Sequence, residues 1–394
     1  MAIVHLTRGT HRAGQGHPWV FASEIETLRG EFAPGDLVTV VDHRGRFVGR
    51  GFINPASFIR VRLLTHRDEQ VDEDFWLARL RAAWELRRPF WGDSAFRVVF
   101  AESDGLPGLV ADRFGPWLVV QTLALGVDLR RDFLIEALRS LTGCEGVFLR
   151  NDAPVRELEG LPLQSGPAPG TPRELSPRVQ VAEGEVRFWV DVAAGQKTGH
   201  FLDQRFNRMA AARLAAGARV LDAFSYTGGF AIHAAHAGAR EVVGVEASAW
   251  AVEVARENAG LNGVADRCRF QEGNAFDVLR TLDQERQKFD LVILDPPAFA
   301  RSREALEGAL RGYKEINLRA LRLLNPGGYL VTSSCSSHLD PDTFLGVVAA
   351  AAHDAGRQVL VLEARGQPPD HPILLGYPES RYLKCLISRT VPPA

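Results

Sequence analysis

From about residue 190 onward the chain alternates between strand-like apolar runs and helical stretches. The runs are RVLDAFS, EVVGVEA, CRFQEG, FDLVILD and GYLVTSSCS, with helical segments such as WAVEVARENAGLN and EINLRALRLLN between strands. Strands separated by helices of roughly 10–15 residues make right-handed βαβ units and a parallel sheet. A run as continuously apolar as LVILD suits a strand buried on both faces. The pattern predicts an open, doubly wound α/β sheet that binds its ligands at the carboxyl ends of its strands.

The 394 residues leave room for more than this sheet, since domains run to roughly 100–200 residues each. Residues 1–68 read as short strands (AIVHL, PWVFA, DLVTVVD, RFVGRGFI, FIRVRLLT) broken by turn residues, which points to a small barrel. Residues 69–185 read as a central α/β unit, with a helix in DEDFWLARLRAAWELRRPF and strands in FRVVFAES, GLVADRF, WLVVQTL and VFLRN. A second helix is expected around 127–141, and LQSGPAPGTPRELSP reads as an exposed excursion. Residues 186–394 hold the doubly wound sheet.

Composition closes off several classes. With 46% apolar and 24% charged residues the chain can bury enough surface to offset ordering entropy, so global disorder is excluded. The net charge of −2 excludes a uniformly basic coat, yet the first 67 residues carry nine Arg against five acids, a local +4. The four cysteines form no CxxC pair, so neither a zinc site nor a disulfide framework is indicated. No signal peptide or membrane-spanning run is read, and a cytoplasmic protein with reduced thiols is expected. Only four of the 46 basic residues are Lys (Lys197, Lys288, Lys314 and Lys384), which codon bias in a GC-rich genome explains.

The chemistry collects at the strand ends. The first strand of the alternating region runs into Asp222-Ala223-Phe224-Ser225-Tyr226-Thr227-Gly228-Gly229-Phe230. Paired glycines at a strand-to-helix turn admit a ligand close to the backbone and to free helix N–H groups. Glu246 ends the second strand, where an acid can accept hydrogen bonds from ribose hydroxyls. There is no G-x-G-x-x-G to hold a pyrophosphate, which favours S-adenosylmethionine over a dinucleotide. Asp295-Pro296-Pro297 follows the fourth strand, and two prolines fix an extended exit beside which a flat base fits.

Cys335 ends the fifth strand among hydroxyls, next to that motif, while Cys144, Cys268 and Cys385 read as small buried hydrophobes. Carbon 5 of a pyrimidine is too weak a nucleophile to take a methyl group. Thiolate addition at carbon 6 makes it enamine-like and splits one difficult step into two. Such a thiol requires nearby positive charge or helix dipoles to lower its pKa from about 8.5. In the segment Gly195–Arg205, Phe201 is a candidate for stacking on adenine, and Gln204 and Arg205 for the methionine carboxylate. Asn274 is a candidate for the adenine edge. Glu379 and Asp295 are the alternative bases for the carbon-5 proton.

Several strings resemble the RlmI-type bacterial 23S ribosomal RNA cytosine-C5 methyltransferases. They include His17-Pro18-Trp19-Val20-Phe21, Glu102 to Gly108, Lys197-Thr198-Gly199, Leu202 to Arg205 and Phe224 to Phe230. Asp295-Pro296-Pro297, Arg311-Gly312-Tyr313-Lys314, Ser334-Cys335-Ser336 and Tyr377-Pro378-Glu379 complete the set. The resemblance implies an N-terminal PUA domain, a central α/β domain and a C-terminal class I methyltransferase domain. It further implies S-adenosylmethionine as donor, Cys335 as nucleophile, and 23S rRNA or a large-subunit assembly intermediate as partner, and it admits a homodimer. Lys197, Pro296, Pro297, Tyr313 and Lys314 are the expected substrate-binding residues. His200 departs from the family's Tyr, and Ala298 after the prolines favours carbon over nitrogen methylation. The alternatives are an RNA nitrogen methyltransferase and a non-catalytic RNA-binding assembly factor. Lys197 and Lys314 fall inside these strings; Lys288 and Lys384 do not.

Overall fold

In a computed structural model that describes residues 2–9, 11–300 and 305–391, the chain divides into two compact units. The first comprises residues 1–181, 190–202 and 369–380; the second comprises 182–189, 203–368 and 381–394.

The alternating apolar residues of the first 65 positions form a six-stranded sheet in the first unit. Its order is Trp19–Phe21, Ile59–Thr65, Phe47–Ile53, Leu37–Val41, Ala2–Leu6 and Ile25–Arg29. Every pair is antiparallel except Ala2–Leu6 with Leu37–Val41. Val4, Val20, Val38, Val40, Ile53 and Val61 are fully buried in its core, as period-2 patterning requires. Gly51 permits the close crossing of two strands, because a Cβ there would lie 2.1 Å from the Arg62 carbonyl oxygen. Strand Ile25–Arg29 was not legible in the sequence, and only Ile25 and Leu28 of it face the core.

A second sheet in this unit has the order Gln164–Pro167, Gly146–Asn151, Trp117–Thr122, Leu109–Phe114 and Ala95–Phe100. Its one parallel pair, Trp117–Thr122 with Gly146–Asn151, is connected through helix Arg131–Thr142, the expected crossover. Helix Glu73–Leu86 is capped by Asp72, whose carboxylate accepts from Phe75 N at 3.0 Å. The expected excursion at 163–177 is partly ordered into the sheet, because Gln164–Pro167 pairs with the edge of Gly146–Asn151.

The second unit is built on seven strands: β1 (Arg219–Asp222), β2 (Glu241–Glu246), β3 (Cys268–Glu272), β4 (Phe289–Leu294), β5 (Leu324–Ser334), β6 (Val359–Arg365) and β7 (Lys384–Thr390). Their order is β3-β2-β1-β4-β5-β7-β6. The helices are α1 (Arg205–Ala212), α2 (Gly229–His236), α3 (Ala249–Leu261), α4 (Ala275–Gln284), α5 (Leu306–Leu323) and α6 (Pro341–Asp354). Strands β1 to β5 are parallel, as the alternation predicts. Two further strands, not read from the sequence, extend the sheet at one edge. β7 inserts between β5 and β6 and runs antiparallel to both. No helix follows β6 to carry the chain across for another parallel strand, so β7 pairs in reverse. Chain order reverses at β1 and β4, which places a switch-point crevice at their carboxyl ends.

Candidate functional site

The loop after β1 is held in a shape that few sequences adopt. Gly228 has φ +87°, a backbone conformation that favours glycine, and a Cβ on it would also press against Ile232 Cδ1 at 2.8 Å. Tyr226 also has a positive φ, +45°, a strained conformation for an aromatic residue and of the kind that clusters at ligand sites. Its N–H donates to Glu246 Oε2 at 2.9 Å, and Ser248 N donates to Oε1 at 2.9 Å, which fixes the Glu246 carboxylate at the end of β2. Ser225 turns its hydroxyl onto the Val245 carbonyl (3.3 Å) and so ties the loop to β2. Asn258 on α3, fully buried and not anticipated from the sequence, donates to the Thr227 carbonyl at 3.0 Å.

Asp222 is fully buried at the end of β1, and its Oδ2 accepts from Ala231 N at 3.0 Å. Burial, then the carboxylates of Asp295 and Glu246, push its carboxyl up to about 7. Three acids on the ends of β1, β2 and the adjacent β4 therefore make a concentrated negative field. Such a field disfavours a phosphate and suits a cationic ligand bearing hydroxyl donors. S-adenosylmethionine, with its sulfonium and ribose, fits that requirement. Gln204, 2% exposed, donates to Asp295 Oδ1 at 2.7 Å and accepts from Asn207 Nδ2 at 2.7 Å, so Asp295 is oriented from α1. Asp203 accepts from the Tyr382 hydroxyl at 2.7 Å, and Arg205 is buried at the start of α1. Phe224 is half-buried on the loop after β1, and Asn274 caps α4 by accepting from Phe276 N at 2.9 Å.

Cys335 sits just past the end of β5, parallel to β4 and its Asp295-Pro296-Pro297 exit, and is half-exposed between fully buried Ser334 and Ser336. Pro296 is buried and Pro297 exposed. The turn is clamped from below by Tyr313 of α5. Ser334 Oγ donates to the Tyr313 hydroxyl at 2.9 Å, and that hydroxyl bonds Ser336 Oγ at 3.0 Å. Ala300 N donates to Ser336 Oγ at 3.2 Å. Of the other cysteines Cys144 and Cys385 are buried as expected, whereas Cys268, expected to be buried, is half-exposed at the start of β3. Burial raises the thiols of Cys385 and Cys268 to about 12 and raises that of Cys144. Tyr313, expected at the substrate, is fully buried against Phe299 and Phe344, and its hydroxyl braces the cysteine turn. The spacing of Ala309, Tyr313, Ile316 and Ala320 signals that inward face. Lys314 lies on the outer side of α5 and pairs with Asp354 at 2.7 Å.

Three remaining candidates belong to the first unit. Exposed Lys197, at φ +51°, lies with Nζ 4.4 Å from the Phe201 ring centroid. Their loop is anchored by Thr198, which donates to Asp112 at 2.7 Å, and by Arg150, which donates to the Gly195 carbonyl at 2.6 Å. Glu379 accepts from Arg12 at 2.5 Å and from His17 at 3.2 Å. Burial opposes its charge, but the Arg12 and His17 hydrogen bonds outweigh it and hold the carboxyl below its usual range. His17, Trp19 and Tyr377 form an edge-to-face aromatic group, and Trp19 Nε1 donates to Glu102 at 2.9 Å. Three of the motif strings are thus joined within one network.

Residues 170–385 match the model of the S-adenosylmethionine-dependent methyltransferases, more than half of the chain. The chain belongs to that family. Residues 5–66 of this methyltransferase match a PUA-like domain, the six-stranded sheet of the first unit. It is 43% identical over 395 residues to ribosomal RNA large subunit methyltransferase I of Aeromonas hydrophila, which covers 98% of this chain and 99% of that protein. It is 42% identical over 383 residues to the protein of the same name in Erwinia tasmaniensis, which covers 95% and 96%. The crystal structure of SMU.776 complexed with SAH superposes with a TM-score of 0.83 at 18% identity, covering 98% of this chain and 99% of that one, a likeness of fold. Among the described residues no helix is long and apolar enough to cross a membrane, and no cluster of His, Cys, Asp and Glu suits a metal ion.

Proposed function

We propose that this methyltransferase methylates carbon 5 of a cytosine in 23S ribosomal RNA, as rRNA or as a large-subunit assembly intermediate, with Cys335 as the nucleophile. Nearly full-length similarity to proteins named for the large ribosomal subunit supports the substrate class. The observation that carries the chemistry is a half-exposed thiol on a braced turn beside Asp295-Pro296-Pro297, whereas Cys144 and Cys385 are buried and the half-exposed Cys268 lies on β3, away from that motif.

S-adenosylmethionine, when bound, supplies an electrophilic methyl group on a sulfonium. Asp222, Glu246 and Asp295 surround that cation with negative charge, Gly228 admits it to the backbone, and Phe224, Ser225 and Asn274 shape the strand ends around it. Gln204 and Arg205 start the helix that orients Asp295. Cys335 adds to carbon 6 of the cytosine and makes carbon 5 nucleophilic. After methyl transfer Asp295 accepts the carbon-5 proton, and the thiolate leaves as the ring double bond re-forms. Asp295 is the stronger of the two base candidates because Glu379 is committed to Arg12 and His17. Pro296 and Pro297 hold the strand exit extended beside the base. Exposed Arg8, Arg29, Arg44, Arg46 and Arg67 of the PUA-like domain, with Lys197, suit RNA phosphates.

Nucleoside mass spectrometry of 23S rRNA treated with protein and donor tests this reading. The expected product is 5-methylcytidine, lost in Cys335→Ala. A methyl group on nitrogen, or 5-methylcytidine formed by Cys335→Ala, overturns it.

A further inference from the structure

Lys384 is one of four lysines among 46 basic residues, and it takes no part in the reaction steps just described. It opens β7 opposite Ser334, the last residue of β5, and is 4% exposed. Its Nζ donates to the Ser336 carbonyl at 2.6 Å and to the Tyr382 carbonyl at 2.8 Å. A buried ammonium is therefore fastened to the residue that follows Cys335, and both its bonded acceptors are neutral. Burying a cation on two carbonyls is costly if the only purpose is to satisfy those carbonyls, since a neutral amide donor does the same. The cost is offset where a negative charge develops nearby.

We propose that Lys384 is the positioning cation that keeps Cys335 in its thiolate form, an inference that rests on the reading of Cys335 as nucleophile. Ionisation breaks the Sγ–H bond, leaves the electron pair on sulfur and gives the proton to solvent. The ammonium is not consumed, and it receives the same thiolate again when the adduct resolves. The charges around Lys384 are compatible with this role. Burial, and then Arg381 more weakly, lower it to about 8, while Cys335 and Asp340 favour its charged form. At neutral pH it remains mostly protonated, and ionised Cys335 strengthens that state. Tyr313, a further titratable group that senses Cys335, is pushed above its ordinary range by burial and stays neutral.

The test is the pH profile of Cys335 alkylation by iodoacetamide in the full-length protein from pH 5 to 10. Peptide mass spectrometry reads Cys335 separately from the half-buried Cys268. The wild-type midpoint is expected below the ordinary thiol value of about 8.5. Lys384→Gln raises it by about one pH unit or more, which cuts the alkylation rate at pH 7 about tenfold. Lys384→Arg keeps the wild-type midpoint. A wild-type midpoint at or above about 8.5 overturns the proposal whether or not the Gln variant folds, as does a folded Gln variant with an unchanged midpoint. The assay needs neither RNA nor methyl donor, so it fails independently of the catalytic reading. A low, Lys384-dependent midpoint in a protein that never bonds RNA sustains the cation and rejects the nucleophile.

Discussion

Replacing Asp222 with Asn isolates the most perturbed carboxyl of the donor site. Asp222 is fully buried, and its carboxyl rises from 3.8 to about 7 on folding, through burial first and the Asp295 carboxylate second. A folded-state value above the unfolded one means that the contribution to stability is complete below about 3.8 and is lost as pH rises through about 7. At 1.36 kcal/mol per pH unit the full loss is about 4 kcal/mol, of which about 2–3 kcal/mol falls between pH 5 and pH 8. Asn keeps an oxygen for the Ala231 N–H and removes the titration. Urea unfolding of both proteins at pH 5 and pH 8 should therefore show the variant gaining about 2–3 kcal/mol on the wild type across that interval. A bound cation favours ionised Asp222, so wild-type affinity for S-adenosylmethionine by calorimetry should rise with pH through about 7 and stay flat in the variant. Parallel stability profiles for the two proteins would refute the account of three opposed carboxylates.

Tyr313→Phe removes the hydroxyl that links Ser334 and Ser336 in a fully buried position; it should cost about 1–3 kcal/mol in thermal unfolding and lower kcat, with donor binding unchanged by calorimetry. Changing Arg8, Arg29, Arg44 and Arg67 together to Gln should flatten the plot of log Kd for RNA against log salt, by up to about 0.7 for each single-strand phosphate that is no longer neutralised. An unchanged slope would remove the PUA-like surface from the RNA interface. Asp295→Asn should stall after methyl transfer and accumulate protein–RNA adduct on gels, whereas Glu379→Gln should lose stability without stalling. Adduct accumulation in Glu379→Gln instead would reassign the base.

The parts of the site that depend on local sequence were legible, and those that depend on long-range register were not. The glycine turn after β1, the double proline after β4 and the hydroxyl-flanked Cys335 each lie within a few residues of a strand end, so one segment carries both geometry and chemistry. Lys384 gains its meaning only when β7 pairs antiparallel with β5 and sets it opposite Ser334, an arrangement separated by some fifty positions. The edge strand β6 was equally hidden, since Val359–Arg365 is mostly exposed and lacks the apolar continuity of β4. Tyr313 was misplaced for a different reason. Its neighbours Arg311 and Lys314 suggest a polar surface, while the helical spacing that turns the ring inward spans the whole of α5. In the first domain, Glu379 is separated by more than 360 positions from Arg12 and His17, which occupy its carboxylate.

The central claim is a covalent bond between Cys335 and the target cytosine, and substrate containing 5-fluorocytosine tests it most directly. Fluorine at carbon 5 cannot leave as a proton does, so a nucleophile that has added at carbon 6 stays attached after methyl transfer. Wild-type protein incubated with such rRNA and S-adenosylmethionine should yield a denaturant-stable protein–RNA band, with the Cys335 peptide carrying the nucleotide and Cys335→Ala giving none. No stable adduct from an active wild-type protein, or an adduct that persists in Cys335→Ala, would contradict the account.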